Sequence, residues 1–327
     1  MRTLTAIAAG KDAGRPVKFF VRGDMGVSCH QFAALKVRGG LRVNGAPVHA
    51  NYALRPGDEV SVTLAEPERD PVAPDPTPVD VVWEDDDLLI LDKPAPLACQ
   101  CSPKQTEPTL ENRLAWRYRN VPGFVFRPLN RLDRGTSGLM AAAKHAHACQ
   151  LLQRQLHTEA FRREYLAVVD GRMTGEGVID APIAKIDAAS VRRVIDPVRG
   201  KLAVTRYRTL LSGAAHSLVR LRLMTGRTHQ IRVHLASLGH PVSGDFLYGT
   251  EDARLPGRFA LHSASIRLTH PVTGEVVERA SPLPAALAAL LGNADAPGSA
   301  EGGSLTAAQI IKQVHFQEQD FDSSIIM

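Results

Sequence analysis

The stretch RPLNRLDRGTSGLM, residues 127–140, places a carboxylate, Asp133, between Arg131 and Arg134 and follows it with the small polar run Gly-Thr-Ser-Gly. Flanking guanidinium groups favour the ionised form of a carboxylate. The two glycines of the run allow tight backbone turns, and an apolar stretch follows directly. A lone acid among arginines is more often a structural ion pair, but a charged side chain on a tight loop before a strand is also common in active sites. The stretch therefore predicts a candidate catalytic aspartate.

Length and composition set the broad class of the protein. The chain has 327 residues, of which 44% are hydrophobic and 22% charged, and this is enough for a sizeable core without disulfide or metal support. No apolar run has the length of a secretory signal or a membrane span. We expect a soluble, cytoplasmic monomer with no membrane contact and no obligatory protein partner.

The charge distribution favours a polyanionic partner. The net charge is +5, and residues 201–244 contain seven basic residues and no Asp or Glu. Wherever these side chains share a face, the local potential is expected to be positive. A solvated basic surface without a partner is an equally open interpretation of this run.

The four cysteines give little support for a metal site. Only Cys99 and Cys101 are close in sequence, and a C-x-C pair without a second Cys/His pair is a weak metal signature. We therefore predict free thiols and no metal.

A proline-rich segment divides the chain. Residues 66–80, EPERDPVAPDPTPVD, contain five prolines and few apolar residues, which is typical of a stiff, extended linker. We expect a small module at residues 1–65, a linker at 66–78 and a larger domain at 79–291. The low-complexity run GNADAPGSAEGGS opens a flexible tail, 292–327, with a possible short helix.

Hydrophobic patterns predict the α+β class. In the first module, CHQFAALKVRGG predicts a helix closed by glycines, and two short strands separated by turn signals follow it. In the larger domain, VDVVWE and LLILDK predict a hairpin. EYLAVVDG, TRYRTLL and HSLVRLRLM predict strands, and THQIRVHLASLG predicts a helix. These signals favour a mixed, mainly antiparallel sheet with flanking helices over a parallel doubly wound sheet.

Two further stretches carry polar groups suited to a site. In TGRTHQIRVH, the side chains of Arg227, His229 and Arg232 crowd the first turns of the predicted helix. Arg232 lies off the apolar face and can reach a neighbouring loop, whereas His234 lies on that face and is predicted to be a core histidine. Tyr165 lies on a predicted strand among arginines, either as a core residue or as a platform on which a base stacks.

The chain resembles the RluA-type family of RNA pseudouridine synthases. VVWEDDDLLILDKPAPL, RLDRGTSGL, REYLAVVDG and TGRTHQIRVHLASLGHPVSGDFLYG occur in the family's order, and the resemblance covers about residues 79–285. The segments VRGDMGVSCHQFAALKVRGGLRVNG and LRPGD resemble a divergent S4-type RNA-binding domain. The resemblance implies a pseudouridine synthase fold and RNA as partner. It implies no cofactor, because isomerising uridine gains and loses no atoms.

The resemblance assigns roles by motif position. Asp133 matches the catalytic aspartate, Tyr165 the tyrosine that packs on the target base, and Arg232 the arginine paired with the aspartate. Arg131 matches a residue that helps to hold the place of the flipped-out nucleotide. The remaining candidate RNA contacts are Arg134, Arg227, His229, Lys36, Arg38 and Arg42.

The sequence departs from the family pattern at three places. Asn130 stands where the family usually has His, DKPAP replaces N-K-P-x-G, and Cys99-Gln100-Cys101 stands where a His is frequent. The departures leave the Asp, the Tyr and the Arg intact, so they bear on local RNA contacts more than on the chemistry.

The resulting prediction is an isomerase that converts specific uridines of RNA to pseudouridine, with ribosomal RNA favoured and transfer RNA as an alternative. A catalytically inactive RNA-binding protein of the same fold is a second alternative, although Asp133, Tyr165 and Arg232 all remain. A glycosidase or nucleosidase would need a second acid beside Asp133, and the motif contains none.

Overall fold

The computed structural model describes residues 2–64, 72–102, 106–156, 158–187 and 189–292. The first part of the predicted linker and the tail beyond residue 292, with its possible helix, lie outside the described residues. The side chains of Lys36 and Arg38 also lie outside the description.

The N-terminal module is a four-stranded antiparallel sheet with two helices. The sheet order is β1-β4-β2-β3, and the module has its own hydrophobic core. Its helix over CHQFAALKVRGG begins after Ser28, whose side chain accepts from the backbone N–H of Gln31, and ends at Gly39 in the left-handed conformation, as predicted. The first strand and the first helix were not predicted from the sequence. The elements are β1 Arg2–Ile7, α1 Val17–Gly23, α2 Cys29–Arg38, β2 Leu41–Val43, β3 Ala46–Pro47 and β4 Glu59–Leu64.

The larger domain is built on one long mixed sheet. Its strand order is β10-β13-β14-β9-β15-β8-β6-β5, with β16 beside β15 and β7 beside β8. The pairing of β8 with β15 is parallel, and the other pairs of this sheet are antiparallel. The predicted α+β class is therefore confirmed. The strands are β5 Asp80–Glu84, β6 Leu88–Lys93, β7 Arg127–Pro128, β8 Ser137–Ala143, β9 Phe161–Asp170, β10 Glu176–Asp180, β11 Ile183–Lys185, β12 Arg193–Ile195, β13 Val204–Ser212, β14 His216–Leu223, β15 Leu261–Thr269 and β16 Val276–Ala280.

Helices lie around this sheet, and β11 and β12 form a separate two-stranded hairpin. The helices are α3 Leu110–Arg117, α4 Ala146–Gln153, α5 Gln230–Ser237 and α6 Ala285–Ala288. Strand β8 is buried along its whole length, and β9 is buried over most of its length. These apolar strands form the centre of the core, and the loop that carries Asp133 leads directly into β8. Within the described segments, no helix combines the length and the apolar character needed to cross a bilayer.

The parallel joint between β8 and β15 requires a glycine. Gly138 has φ +105°, and a Cβ atom at this position would lie 2.3 Å from the carbonyl oxygen of Ser263. An L side chain is therefore excluded both by its backbone conformation and by the opposite strand.

We expect Gly138→Ala to lower the free energy of unfolding by roughly 3 kcal/mol, because it adds a backbone clash to an unfavourable φ. Gly123→Ala is the matched control, since Gly123 also has positive φ (+73°) but no atom lies within 4 Å of the place that its Cβ would take. The control should lose only about 1 kcal/mol. Urea denaturation measures both values, and equal losses would contradict a tight joint at Gly138.

Candidate active site

Asp133 lies on a tight loop between β7 and β8. The backbone N–H of Thr136 donates to the carbonyl of Asp133 (3.0 Å), which closes the turn. The carbonyl of Arg134 accepts from the N–H of Leu97 (2.9 Å), and the thiol of Cys99 donates to the carbonyl of Leu132 (3.0 Å). The segment after β6 therefore fixes the backbone that carries the carboxylate, whose side chain is 27% exposed.

Arg232 is the cationic partner of this carboxylate. Its side chain is buried on α5, and its Nη1 donates to Oδ2 of Asp133 (3.1 Å). Its Nε and Nη2 donate to the two carboxylate oxygens of Asp245 (2.6 and 2.7 Å), and its guanidinium lies over the ring of Phe259 (4.2 Å). A bidentate Arg–carboxylate pair fixes the plane of the guanidinium. Asp245 therefore aims the remaining edge of Arg232 at Asp133.

The two arginines next to Asp133 in the sequence are not its main charged partners. Arg134 donates to Glu107 (2.7 Å) in an exposed ion pair, and Arg131 is exposed at the rim of the cleft. The strong hydrogen-bonded contact to Asp133 comes instead from Arg232, 99 residues away in sequence.

Asp133 faces a cleft with a volume of about 50 Å³. Tyr165 lies in the wall of the cleft, on the central strand β9, and burial raises the pKa of its phenol above the ordinary value. The structure thus brings Asp133, Tyr165 and Arg232 to one opening, together with the predicted RNA contacts Arg131, Arg227 and His229. The lining residues are Arg131, Leu132, Asp133, Thr136, Tyr165, Leu223, Arg227, His229, Gln230, Ile231, Arg232 and Leu261.

His229 lies at the start of α5 in an unusual backbone conformation. Its φ of +58° is left-handed, which is uncommon for a residue with a side chain. Its Nδ1 lies 2.8 Å from the hydroxyl of Tyr248, and its Nε2 lies 3.9 Å from Oδ2 of Asp133. Burial lowers the pKa of the imidazole, so neutral His229 is favoured at pH 7.

Two polar residues of the same motif face inward instead. His234 is fully buried, and its Nδ1 and Nε2 bond to the hydroxyl of Thr205 (2.9 Å) and the carbonyl of Ala181 (3.0 Å), which confirms the predicted core histidine. The side-chain amide of Gln230 donates to the carbonyl of Val204 (3.0 Å). Together these bonds hold α5 against β13 and against the segment that follows β10.

Lys93 is buried behind the Asp133 loop. Its ammonium donates to the carbonyls of Pro94 (2.9 Å), Leu97 (2.7 Å) and Arg134 (3.4 Å), so it ties the end of β6 to the loop. Burial lowers the pKa of this ammonium to about 8. No pattern in the surrounding sequence indicates that this lysine is buried.

The stability of the wild type relative to Lys93→Met should rise by about 3 kcal/mol between pH 8 and pH 10.5. The pKa of Lys93 falls from 10.5 to about 8 on folding, so between these values the unfolded chain binds a proton that the folded protein does not. This pH-dependent contribution of Lys93 to the free energy of unfolding is complete above pH 10.5 and is lost as the pH falls through 8. Urea denaturation of both proteins across this range measures the difference, and parallel pH profiles would contradict the assignment.

Two of the three departures from the family pattern lie inside the fold or away from the Asp133 carboxylate. Asn130 is buried, and its Oδ1 accepts from the N–H of Ala141 on β8 (3.0 Å). Cys99 is buried against the Asp133 loop, and Cys101 is exposed. Both are free thiols, as predicted.

The basic run is partly neutralised by distant acids. Arg220 and Arg222 each make a two-point contact with Glu164 on β9, at 2.6 to 2.9 Å. Arg208 pairs with Glu176, and Arg232 pairs with its two aspartates. Four of the seven basic side chains therefore have acidic partners, and the expected positive potential is smaller than the sequence indicated.

Two of the predicted RNA contacts, Arg227 and Arg42, donate hydrogen bonds to backbone carbonyls. Arg227 donates from Nε to the carbonyl of Leu202 (2.8 Å) at the edge of the cleft. Arg42, on the N-terminal module, is exposed and donates to the carbonyl of Gly45 (2.9 Å).

One group of potential metal ligands exists among the described residues, formed by Asp85, Asp87 and His270. The Nδ1 atom of His270 accepts from the backbone N–H groups of Val272 and Thr273 (3.3 and 3.0 Å). The ring proton of neutral His270 therefore lies on Nε2, which is 2.7 Å from Asp85. A protonated nitrogen does not ligate a metal, so this group is better described as a histidine in contact with two carboxylates.

Comparisons with known proteins identify the family of this chain. Residues 87–237 match the family model described as RNA pseudouridylate synthase. The chain is 39% identical over 249 residues to an uncharacterised RNA pseudouridine synthase, YhcT, of Bacillus subtilis, covering 75% of this chain and 82% of the relative. It is 41% identical over 266 residues to ribosomal large subunit pseudouridine synthase D of Nitrosomonas europaea, covering 77% of this chain and 76% of the relative.

A solved structure has the same fold. Human RNA pseudouridylate synthase domain containing 1 superposes with a TM-score of 0.52 at 27% identity, over 65% of this chain and 87% of the human chain. The range matched by the family model, residues 87–237, includes Asp133, Tyr165 and Arg232. The chain therefore belongs to the RluA-type family of RNA pseudouridine synthases, which are isomerases.

Proposed function

We propose that this protein isomerises specific uridines of ribosomal RNA to pseudouridine and that Asp133 is its catalytic carboxylate. The observation that carries the proposal is the alignment of Asp133 by Arg232 and Asp245 at the mouth of an open cleft. A carboxylate held this way is oriented and accessible, and attack on a sugar carbon requires both properties.

The two oxygens of Asp133 have different surroundings. Oδ2 accepts from Arg232 and lies nearest to His229. Among the described residues, none donates a hydrogen bond to Oδ1. Oδ1 is therefore the oxygen we assign to the sugar carbon C1′ of the target uridine.

The reaction balances without a redox step or an energy source. The bond from C1′ to N1 of uracil breaks, the base turns, and a bond from C1′ to C5 forms. The proton on C5 then leaves, and N1 gains one. Asp133 assists the first step as a nucleophile or by stabilising the positive charge that develops on the sugar.

Tyr165 is better suited to packing and hydrogen bonding than to removing a proton. Its hydroxyl belongs to a buried side chain, and burial disfavours the phenolate that a base would need to be. We assign Tyr165 to the face of the target base. This leaves Asp133 as the favoured acceptor of the C5 proton.

The choice of ribosomal RNA rests on the relatives. The Nitrosomonas europaea relative and one from Vibrio cholerae, 38% identical over 269 residues, are both named ribosomal large subunit pseudouridine synthase D. Transfer RNA is the alternative substrate. A catalytically inactive RNA-binding protein is disfavoured, because the aligned carboxylate would then have no use.

The proposal is tested by mapping pseudouridine in RNA treated with the purified protein. Large-subunit rRNA transcripts and a tRNA pool are incubated with it, and pseudouridine is mapped by carbodiimide-dependent stops of primer extension. We expect new stops in rRNA. Stops in tRNA alone would overturn the substrate class, and no stop in either RNA would overturn the function.

We further propose that residues 1–65 form an S4-like RNA-binding module, joined through a linker at 66–78 to a catalytic domain at 79–291, with a tail at 292–327. The separate sheet and separate core of the first module support this division. Lys36, Arg38 and Arg42 remain the proposed RNA contacts of the module, and Arg131, Arg134, Arg227 and His229 those of the catalytic domain.

Replacing Arg42 by Gln should weaken RNA binding about two- to fivefold without changing the rate of isomerisation at saturating protein. Arg42 is exposed on the module, so its loss removes one phosphate contact and lowers the slope of log affinity against log salt by about 0.7 to 0.9. Arg42→Lys keeps the charge and is the matched control. Fluorescence anisotropy over a salt series measures the slope, and an unchanged slope would exclude Arg42 from the RNA interface.

A further inference from the structure

A chain of hydrogen bonds fixes which nitrogen of His229 carries the ring proton. The backbone N–H of Arg193, on β12, donates to the hydroxyl oxygen of Tyr248 (2.8 Å). The phenolic proton of Tyr248 then has Nδ1 of His229 as its acceptor, also at 2.8 Å. A neutral imidazole that accepts at Nδ1 carries its proton on Nε2. The opposite tautomer would leave the phenolic proton without this acceptor and would turn a lone pair toward Asp133.

The protonated nitrogen faces the catalytic carboxylate across a short gap. Nε2 of His229 lies 3.9 Å from Oδ2 of Asp133, which is too long for a direct hydrogen bond. One hydroxyl oxygen between them can accept from Nε2–H and donate to Oδ2. Both residues belong to the lining of the cleft. The gap therefore suits a group that is both a donor and an acceptor.

The position of the carboxylate identifies which hydroxyl this is. Asp133 acts at C1′ in the proposed function, and the hydroxyl on the adjacent carbon is the 2′-hydroxyl of the same ribose. This group both donates and accepts, and it is the group that distinguishes RNA from DNA. We propose that His229 is a positioning residue that holds the 2′-hydroxyl of the target nucleotide against Asp133, with Tyr248 and the β12 backbone fixing its tautomer.

The buried surroundings of His229 agree with this role. Desolvation lowers the pKa of His229, so the ring remains a neutral donor–acceptor at pH 7. The ring of Tyr248 packs edge-on against the imidazole, with centroids 5.7 Å apart. His229 precedes α5 with a left-handed φ of +58°, and its side chain lines the cleft. Strained backbone of this kind is found at functional sites.

This inference rests on the proposed function, and its test combines variants of His229 with a modified substrate. An RNA oligonucleotide that spans a mapped target is made with uridine or with 2′-deoxyuridine at that position. For the wild type, the 2′-deoxy substitution should slow single-turnover isomerisation about tenfold to a hundredfold. The rate of His229→Asn on the uridine substrate should already be as low as that of the wild type on 2′-deoxyuridine. The 2′-deoxy substitution should slow this variant by less than about a further threefold.

His229→Asn is chosen because Asn tolerates the left-handed conformation and its shorter amide does not reach Asp133. His229→Gln places an N–H donor near the position of Nε2 and should restore most of the rate and the penalty for 2′-deoxyuridine. Tyr248→Phe in the wild-type background should lower the rate of isomerisation severalfold. In the His229→Gln background it should not lower the rate further, because the amide N–H of Gln does not depend on a tautomer.

The outcomes separate this inference from the proposed function. Equal penalties for 2′-deoxyuridine in the wild type and in His229→Asn would overturn the contact, even with an active enzyme. A loss of rate with 4-thiouridine that depends on His229, without one for 2′-deoxyuridine, would show that His229 contacts the base. This result would also overturn the proposed contact with the 2′-hydroxyl. Failure of the wild type to convert the uridine RNA would instead count against the proposed function.

Discussion

Asp133→Asn should reduce the single-turnover rate of pseudouridine formation at least about 10⁴-fold. The amide keeps an oxygen that accepts from Arg232, so the loop and the guanidinium should stay in place. It carries no negative charge, so it neither attacks C1′ nor stabilises the developing positive charge. Carbodiimide mapping after rapid quenching measures the rate.

Two further measurements separate loss of chemistry from loss of binding. RNA affinity of Asp133→Asn, measured by fluorescence anisotropy, should remain within about threefold of the wild type, because one neutralised acid removes no phosphate contact. Asp133→Glu keeps the charge but shifts it by one methylene, and should retain a rate about a hundredfold below the wild type. A rate for Asp133→Asn within about tenfold of the wild type would exclude Asp133 as the catalytic group.

Arg232→Met should cost the protein about 3 to 5 kcal/mol of unfolding free energy as well as its activity. The loss of stability comes from the buried ion pair of Arg232 with Asp245. Asp245 is fully buried, and Arg232 is its charged partner at 2.6 and 2.7 Å, so the substitution leaves a buried carboxylate without a counter-charge. Urea denaturation measures the loss of stability.

A double variant separates the structural effect from the catalytic one. In Arg232→Met/Asp245→Asn, the buried charge is gone and the Asn oxygen still accepts from the N–H of Leu247, as Asp245 does at 3.0 Å. We expect this protein to recover most of the lost stability but none of the lost activity, because Asp133 remains unaligned. Recovery of activity together with stability would show that Arg232 serves the fold alone.

The local elements were largely predictable, because their signals lie within the segments that form them. Helix α2 carries its own cap and its terminal glycine, and the β5–β6 hairpin follows from two apolar runs around an aspartate-rich turn. The patterns above do not predict β1, although residues 3–6, TLTA, alternate polar and apolar residues, which is itself a strand signal. The predicted antiparallel pairing holds throughout the large sheet except at the β8–β15 joint.

Partners that meet through space were not predictable from local sequence. The flanking arginines suggested a local ion pair for Asp133, whereas the fold supplies Arg232 from α5. Glu164 likewise pairs with two arginines of β14, and no periodicity in either segment indicates this contact. Asp245 had one available signal, since it is the first acid after the acid-free run of residues 201–244. A lone acid beside such a run is a candidate partner for one of its arginines.

The central claim is that a carboxylate at position 133, aligned by Arg232, makes this protein a uridine isomerase. The most direct measurement is the release of tritium into water from ribosomal RNA labelled at C5 of uridine, since C5 loses its hydrogen only when it becomes bonded to C1′. The account predicts release by the wild type in a one-to-one ratio with pseudouridine formed, and none above background by Asp133→Asn bound to the same RNA. Equal release by the two proteins, or none by the wild type, would contradict it.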